Sequence, residues 1–184
     1  MTIQPIRAAG IRGHLLALSL LTPVCQLHAA NGTWTADAPG NWSDTTKWKD
    51  GIVASGAGFT ADFSTLDITG DHLVTLDSPV TIGTLSTQDL PATNSWTFGG
   101  AETLTLDNGA SQPVLSILNR APTISASLAG TNGFSKTGLG TLNLSGNNAG
   151  LSGVLDMPNV GGTNGAGVVL LNHTAIGAIN TINI

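Results

Sequence analysis

The chain reads as an all-β protein made of short strands and tight turns, and three observations carry that reading. From residue 62 onward, short runs rich in Val, Ile, Leu, Phe and Thr are bounded by Gly, Asn, Asp and Pro. Thr141, Asn143 and Ser145 alternate with Leu142 and Leu144, so one strand face is polar and the other apolar. No segment after residue 30 carries a helical period. Each strand–turn unit is too short to bury its apolar face alone. The units must therefore stack as rungs of a β-solenoid or pair as hairpins of a sandwich.

The first element is a targeting segment, residues 1–30. Arg7 and Arg12 precede an apolar run from Leu15 to Leu27, and the small residues Ala29 and Ala30 follow. This is the order of a secretory signal peptide. Thr22-Pro23 interrupts the run, which is too short to span a bilayer. Cleavage is expected after Ala29 or Ala30. Cys25, the only cysteine, lies inside this segment, and Thr22-Pro23-Val24 before it is not a lipidation signal. The exported chain then has neither disulfides nor thiol chemistry.

Residues 31–60 are expected to form a Trp-rich N-terminal cap. They hold Trp34, Trp42 and Trp48, whose indoles can cover the open end of a stacked core. Stacking of exposed indole faces on carbohydrate is the competing role for these three and for Trp96.

Residues 61–184 are read as the solenoid coils. Phe63, Leu66 and Ile68 lead to the turn Gly70-Asp71, and Leu73 to Leu76 ends at Asp77-Ser78-Pro79. Val80-Thr81-Ile82 runs through Gly83 to Leu85. Trp96-Thr97-Phe98, Leu104-Thr105-Leu106, Val114 to Leu118 and Ile124 to Leu128 continue the pattern. Val154-Leu155, Val168 to Leu171 and Ile182 close it. Thr75-Leu76-Asp77, Thr105-Leu106-Asp107 and Thr141-Leu142-Asn143 form a weak repeat, which would place Asp77 and Asp107 at one position.

The densest pattern lies at about 132–153. Phe134, Lys136, Gly138, Gly140, Thr141, Leu142, Leu144, Gly146 and Asn148 sit at the places of an aromatic-x-K-x-G-x-G-T-L-x-L-x-G-x-N pattern. In this the chain resembles the autotransporter-associated β-strand repeat. Gly40-Asn41-Trp42-Ser43 followed by Trp48 is similar to the opening of secreted proteins that carry the repeat. The resemblance implies a right-handed parallel β-helix of few coils, with pectin-lyase-like architecture. It implies a secreted, bacterial, surface-exposed passenger segment with a structural role as stalk, scaffold or adhesin. It implies export across the inner membrane to the periplasm, the cell surface or the medium. If the coils stack, Asn147 and Asn148 could join an asparagine ladder at a turn.

No constellation points to catalysis, and the chain is expected not to be an enzyme. β-Helix polysaccharide enzymes need acids clustered on adjacent coils, and Asp77 and Asp107 each adjoin a turn residue. Asp62, Asp67 and Asp71 lack the spacing and terminal Glu of a calcium loop, the only Glu being Glu102. His72 and His173 stand apart, with no nearby Cys or second His for zinc or a triad. Arg120 before Ala121-Pro122 reads as a turn residue. Gly161 to Gly167 has no following Lys, so it reads as a connecting loop and not a phosphate loop. No metal or other cofactor is expected.

Composition narrows the partners. The net charge is −5, and removing Arg7 and Arg12 leaves Lys47, Lys49, Arg120 and Lys136 against 11 acids, near −7. Nucleic acid and anionic membrane surfaces are therefore poor partners. Charged residues are 9% of the chain, against roughly 25% in ordinary domains. A neutral, hydroxyl-rich surface suits polysaccharide or other cell-surface components. The last residues, Asn180 to Ile184, read as part of a rung and not as a membrane barrel strand. The chain is therefore expected to be a piece of a longer passenger or to depend on a partner. Its C-terminal rung is expected to self-associate.

Overall fold

The computed structural model describes residues 29–158, 169–171 and 178–183. Over these residues the chain forms a parallel β-solenoid of about four turns with almost no helix. Residues 1–28 of the leader expected at 1–30, the Gly161–Gly167 loop and His173 lie outside the described residues.

The strands in chain order are β1 (Gly32–Thr33), β2 (Gly40–Asn41), β3 (Gly56–Phe63), β4 (His72–Thr75) and β5 (Val80–Thr87). They continue as β6 (Trp96–Gly99), β7 (Thr103–Leu106), β8 (Val114–Ile117), β9 (Thr123–Ile124) and β10 (Ser127–Gly130). The last are β11 (Phe134–Thr137), β12 (Leu142–Leu144), β13 (Gly150–Asp156), β14 (Val169–Leu171) and β15 (Ala178–Asn183). Every strand–strand pairing is parallel. Parallel neighbours cannot be joined by a hairpin, so each connection crosses the other faces before returning.

β2, β4, β6, β9, β12 and β14 form one face. The remaining strands form a sheet that turns a corner within single strands. Val80–Ile82 of β5 pairs with β7, whereas Thr84–Thr87 of the same strand pairs with β8. The corner falls at Gly83, where a Cβ would stand 2.6 Å from the Gly58 Cα of the coil before. Only a glycine lets the two backbones approach this closely.

The alternation read in the sequence sets the core. Val74, Phe98, Ile124 and Leu144 are partnered in register from coil to coil and are buried. Val80, Leu104 and Leu128 do the same on the next face. Their outward neighbours are mainly Thr, Ser and Asn. Each buried Leu, Ile or Phe contributes about 1.5–3 kcal/mol of transfer free energy, and in-register stacking makes that core continuous.

The proposed Thr-Leu-Asx repeat is not a stacking repeat. Thr75 ends β4 and pairs with Gly99, whereas Thr105 lies on a different face and pairs with Thr81 and Ala129. Asp77 and Asp107 accordingly part company. Asp77 accepts hydrogen bonds from the Ser43 backbone and hydroxyl, and Asp107 accepts from the Gly109 N–H.

Candidate functional site

The motif residues occupy β11, β12 and the turns that flank them. Lys136 points inward on β11. It continues a column of Ala61, Leu85 and Leu115, each in register with the next. It is 0% exposed, and its ammonium donates to the Gly138 carbonyl at 2.9 Å. Burial lowers the Lys136 amine from its ordinary value to about 8.

The motif glycines stand where the coil crosses the backbone of the coil before it. A Cβ at Gly140 would lie 2.5 Å from the Asn119 carbonyl. A Cβ at Gly138 would meet the Ile117 carbonyl, and one at Gly146 the Ala126 carbonyl. Gly138 also has φ of +78°, in the left-handed region that favours glycine. Backbone hydrogen bonds cross at the same points. Gly140 N–H donates to Ile117 O at 2.9 Å, Thr141 N–H to Arg120 O at 2.7 Å, and Gly146 N–H to Ile124 O at 3.3 Å. Leu142 and Leu144 are buried in the core.

Asn147 and Asn148 make no asparagine ladder among the described residues. Asn147 Oδ1 accepts from the Ala149 N–H at 3.1 Å and so holds its own turn. Asn148 is 1% exposed, and neither its Oδ1 nor its Nδ2 has a hydrogen-bond partner among the described residues. An unpaired buried amide costs on the order of 1–3 kcal/mol.

The four tryptophans surround Phe63. Its ring centroid lies 5.4 Å from Trp34, 5.6 Å from Trp42, 5.4 Å from Trp48 and 5.3 Å from Trp96. All four indoles are buried, none above 2% exposure. Their N–H groups donate to the carbonyls of Ala36, Ala54, Trp42 and Gln88. Glycan stacking needs an exposed indole face, and Trp34, Trp42, Trp48 and Trp96 present none. That expectation is corrected.

Two carboxylate networks escaped the sequence reading. Asp89, 1% exposed, accepts from the backbone N–H groups of Ile68 at 3.0 Å, Thr93 at 2.6 Å and Asn94 at 2.7 Å. Burial alone would raise its pKa, but these donors outweigh burial and hold the carboxyl below its usual range. Asn119 in the next coil brackets Asp89, accepting from its N–H at 3.0 Å and donating to its carbonyl at 2.8 Å. A local signal was present, since an Asp followed closely by Thr and Asn marks a side-chain-capped turn.

Asp37 forms the second network, binding His72 Nε2 at 2.7 Å and the Thr69 N–H and hydroxyl at 2.9 and 2.8 Å. The His72 contact, then the Thr69 donors, hold the Asp37 carboxyl below its usual range. The hydroxyl binds the carboxylate and not the imidazole, so this is a clamp between coils and not a nucleophile triad. Arg120 has φ of +60° and donates to the Thr93 carbonyl at 2.7 Å, as a turn residue would. Asp62 caps Ser64, and Asp71 accepts from the Ser95 N–H.

Among the described residues no group of three or more His, Cys, Asp or Glu could hold a metal ion. No helix among them is long and apolar enough to cross a membrane. No protein-family profile, no curated protein and no solved structure matches the chain. The solenoid architecture therefore stands on the pairing registers and the core.

Proposed function

We propose that the chain is a non-catalytic structural segment of a secreted, autotransporter-like passenger, serving as a stalk or scaffold at the cell surface. The observation that carries this reading is the use to which the motif is put. Gly138, Gly140, Thr141 and Gly146 all meet the backbone of the coil before, and Lys136 stands in register on Leu115 of that coil. A segment whose most patterned residues are consumed by stacking is built for regular extension. The Arg-apolar-small N-terminus supports export, and the charge-poor, Thr-rich composition suits an extracellular location. Coil-by-coil stacking also suits progressive folding during passage across an outer membrane, because each coil contacts only its neighbours.

The test is display. The chain, with its own leader, is fused in front of an outer-membrane β-barrel domain in a Gram-negative host. External protease should cleave it on intact cells, and mass spectrometry should place the mature N-terminus at Ala30 or Asn31. A chain left uncleaved in the cytoplasm would overturn the export reading. An exported chain that never reaches the surface would overturn the passenger reading.

A further inference from the structure

We propose that a depression on the outer side of the sheet formed by β7, β10 and β13 binds one unit of a neutral saccharide, held by Asp107 and Asn132. The strand register explains why the depression exists. Thr81, Thr105, Ala129 and Gly150 occupy one outward position on successive coils. Side-chain volume falls along that row from Thr to Ala to Gly. The missing side chains leave a cavity of about 350 Å³, within the size range of small-ligand sites.

The walls carry the recognition chemistry. Asp107 follows β7, and its Oδ1 accepts the Gly109 N–H at 2.8 Å. Its Oδ2 takes no hydrogen bond among the described residues. Asn132 follows β10, and its amide nitrogen donates to the Ser111 carbonyl at 3.1 Å. That bond fixes the side chain and leaves its Oδ1 as an acceptor. Thr105 and Thr131, both hydroxyl-bearing, line the same depression.

Two acceptors and two hydroxyls beside an Ala-Gly floor match a pyranose, which offers several O–H donors on its rim and C–H groups on its face. Among the described residues no Lys, Arg or His lines the depression, so an anionic ligand has no partner among them. Among the described residues Asp107 is the one carboxylate there, too few for a hard cation that takes six to eight oxygen ligands. None of Trp34, Trp42, Trp48 and Trp96 lines it. The proposal is independent of the scaffold reading, because a stalk can carry this site or lack it.

The test is an amide-resolved NMR titration of the exported chain with cellohexaose, maltohexaose and chitohexaose. At least one of these neutral probes should shift amides confined to Thr105–Gly109, Ala129–Asn132 and Gly150, saturating in the millimolar range. Asp107→Asn should weaken that binding by about tenfold, the factor for a loss of ~1.4 kcal/mol. Ala129→Leu fills the depression from an outward position and should abolish the shifts while leaving the thermal midpoint unchanged. If none of the three sugars moves these amides at tens of millimolar, the proposal fails. It fails equally if the shifts persist in Ala129→Leu, because the sugar then sits elsewhere.

Discussion

The first coil and the motif coil solve the same packing problem by opposite means. The first coil fills its interior with bulk: Trp34, Trp42 and Trp48 close over Phe63, each indole anchored to a carbonyl. Its connections are fastened to the next coil by carboxylates, Asp37 on Thr69 and His72, Asp77 on Ser43. The motif coil removes bulk, placing Gly138, Gly140 and Gly146 where its backbone comes closest to the coil before it. The first arrangement packs its core beneath the strands β1 and β2, each only two residues long. The second is a repeatable tile, because backbone contacts at glycine depend little on the neighbouring coil's side chains.

That contrast can be broken from either side. Phe63→Ala should have the largest effect, since this ring touches all four indoles and Phe98. A loss of about 3–5 kcal/mol is expected, read as a lower denaturant midpoint with quenching or exposure of the tryptophan fluorescence. An unchanged emission spectrum would mean that the indoles do not depend on Phe63. Gly146→Ala comes next, because its Cβ would meet the Ala126 carbonyl, a backbone atom that cannot swing aside. Overpacking of this kind costs about 1–3 kcal/mol. Amide exchange should quicken in β9 and β12 while the tryptophan environment holds.

Lys136 gives the contrast a pH signature. Its folded amine titrates at about 8 and the unfolded one near the ordinary 10.5. Between those values the unfolded chain binds more protons, so stability should rise with pH across that window. Below pH 8 the cost of the buried cation is fully present. Urea midpoints measured at several pH values should show the rise, and Lys136→Met should flatten it. A slope that survives Lys136→Met would assign it to another group. The smallest effect belongs to the exposed Asp37 clamp. Asp37→Asn should lower the midpoint slightly, and the difference from wild type should shrink at high salt, since exposed pairs are screened. A salt-independent difference would mean that the Thr69 hydrogen bonds, and not the His72 pair, carry it.

Much of the fold was legible because it is local. The alternation from Thr141 to Ser145 marks β12, and the glycines on either side mark its turns. What could not be read was the stacking register, because the coils differ in length. Register partners are 30 residues apart at Leu85 and Leu115, 24 at Ile82 and Leu106, and 21 at Leu115 and Lys136. Loops of unequal length erase a fixed period, and the Thr-Leu-Asx triplets recur without stacking. The carboxylate clamps were hidden for the same reason. Asp37 and His72 lie 35 residues apart, and Asp89 and Ile68 lie 21 apart. The burial of Lys136 was invisible too, since a lysine on an alternating strand looks the same facing in or out.

The central claim is that the motif glycines hold one coil against the next. The most direct measurement compares Gly138→Ala with Leu139→Ala by chemical denaturation of the exported chain. The two residues are adjacent, but Gly138 abuts the Ile117 carbonyl at positive φ, whereas Leu139 is 64% exposed. The account expects Gly138→Ala to lose about 1–3 kcal/mol and Leu139→Ala to stay within about 0.5 kcal/mol of wild type. Equal losses, or a Gly138→Ala chain as stable as wild type, would contradict it.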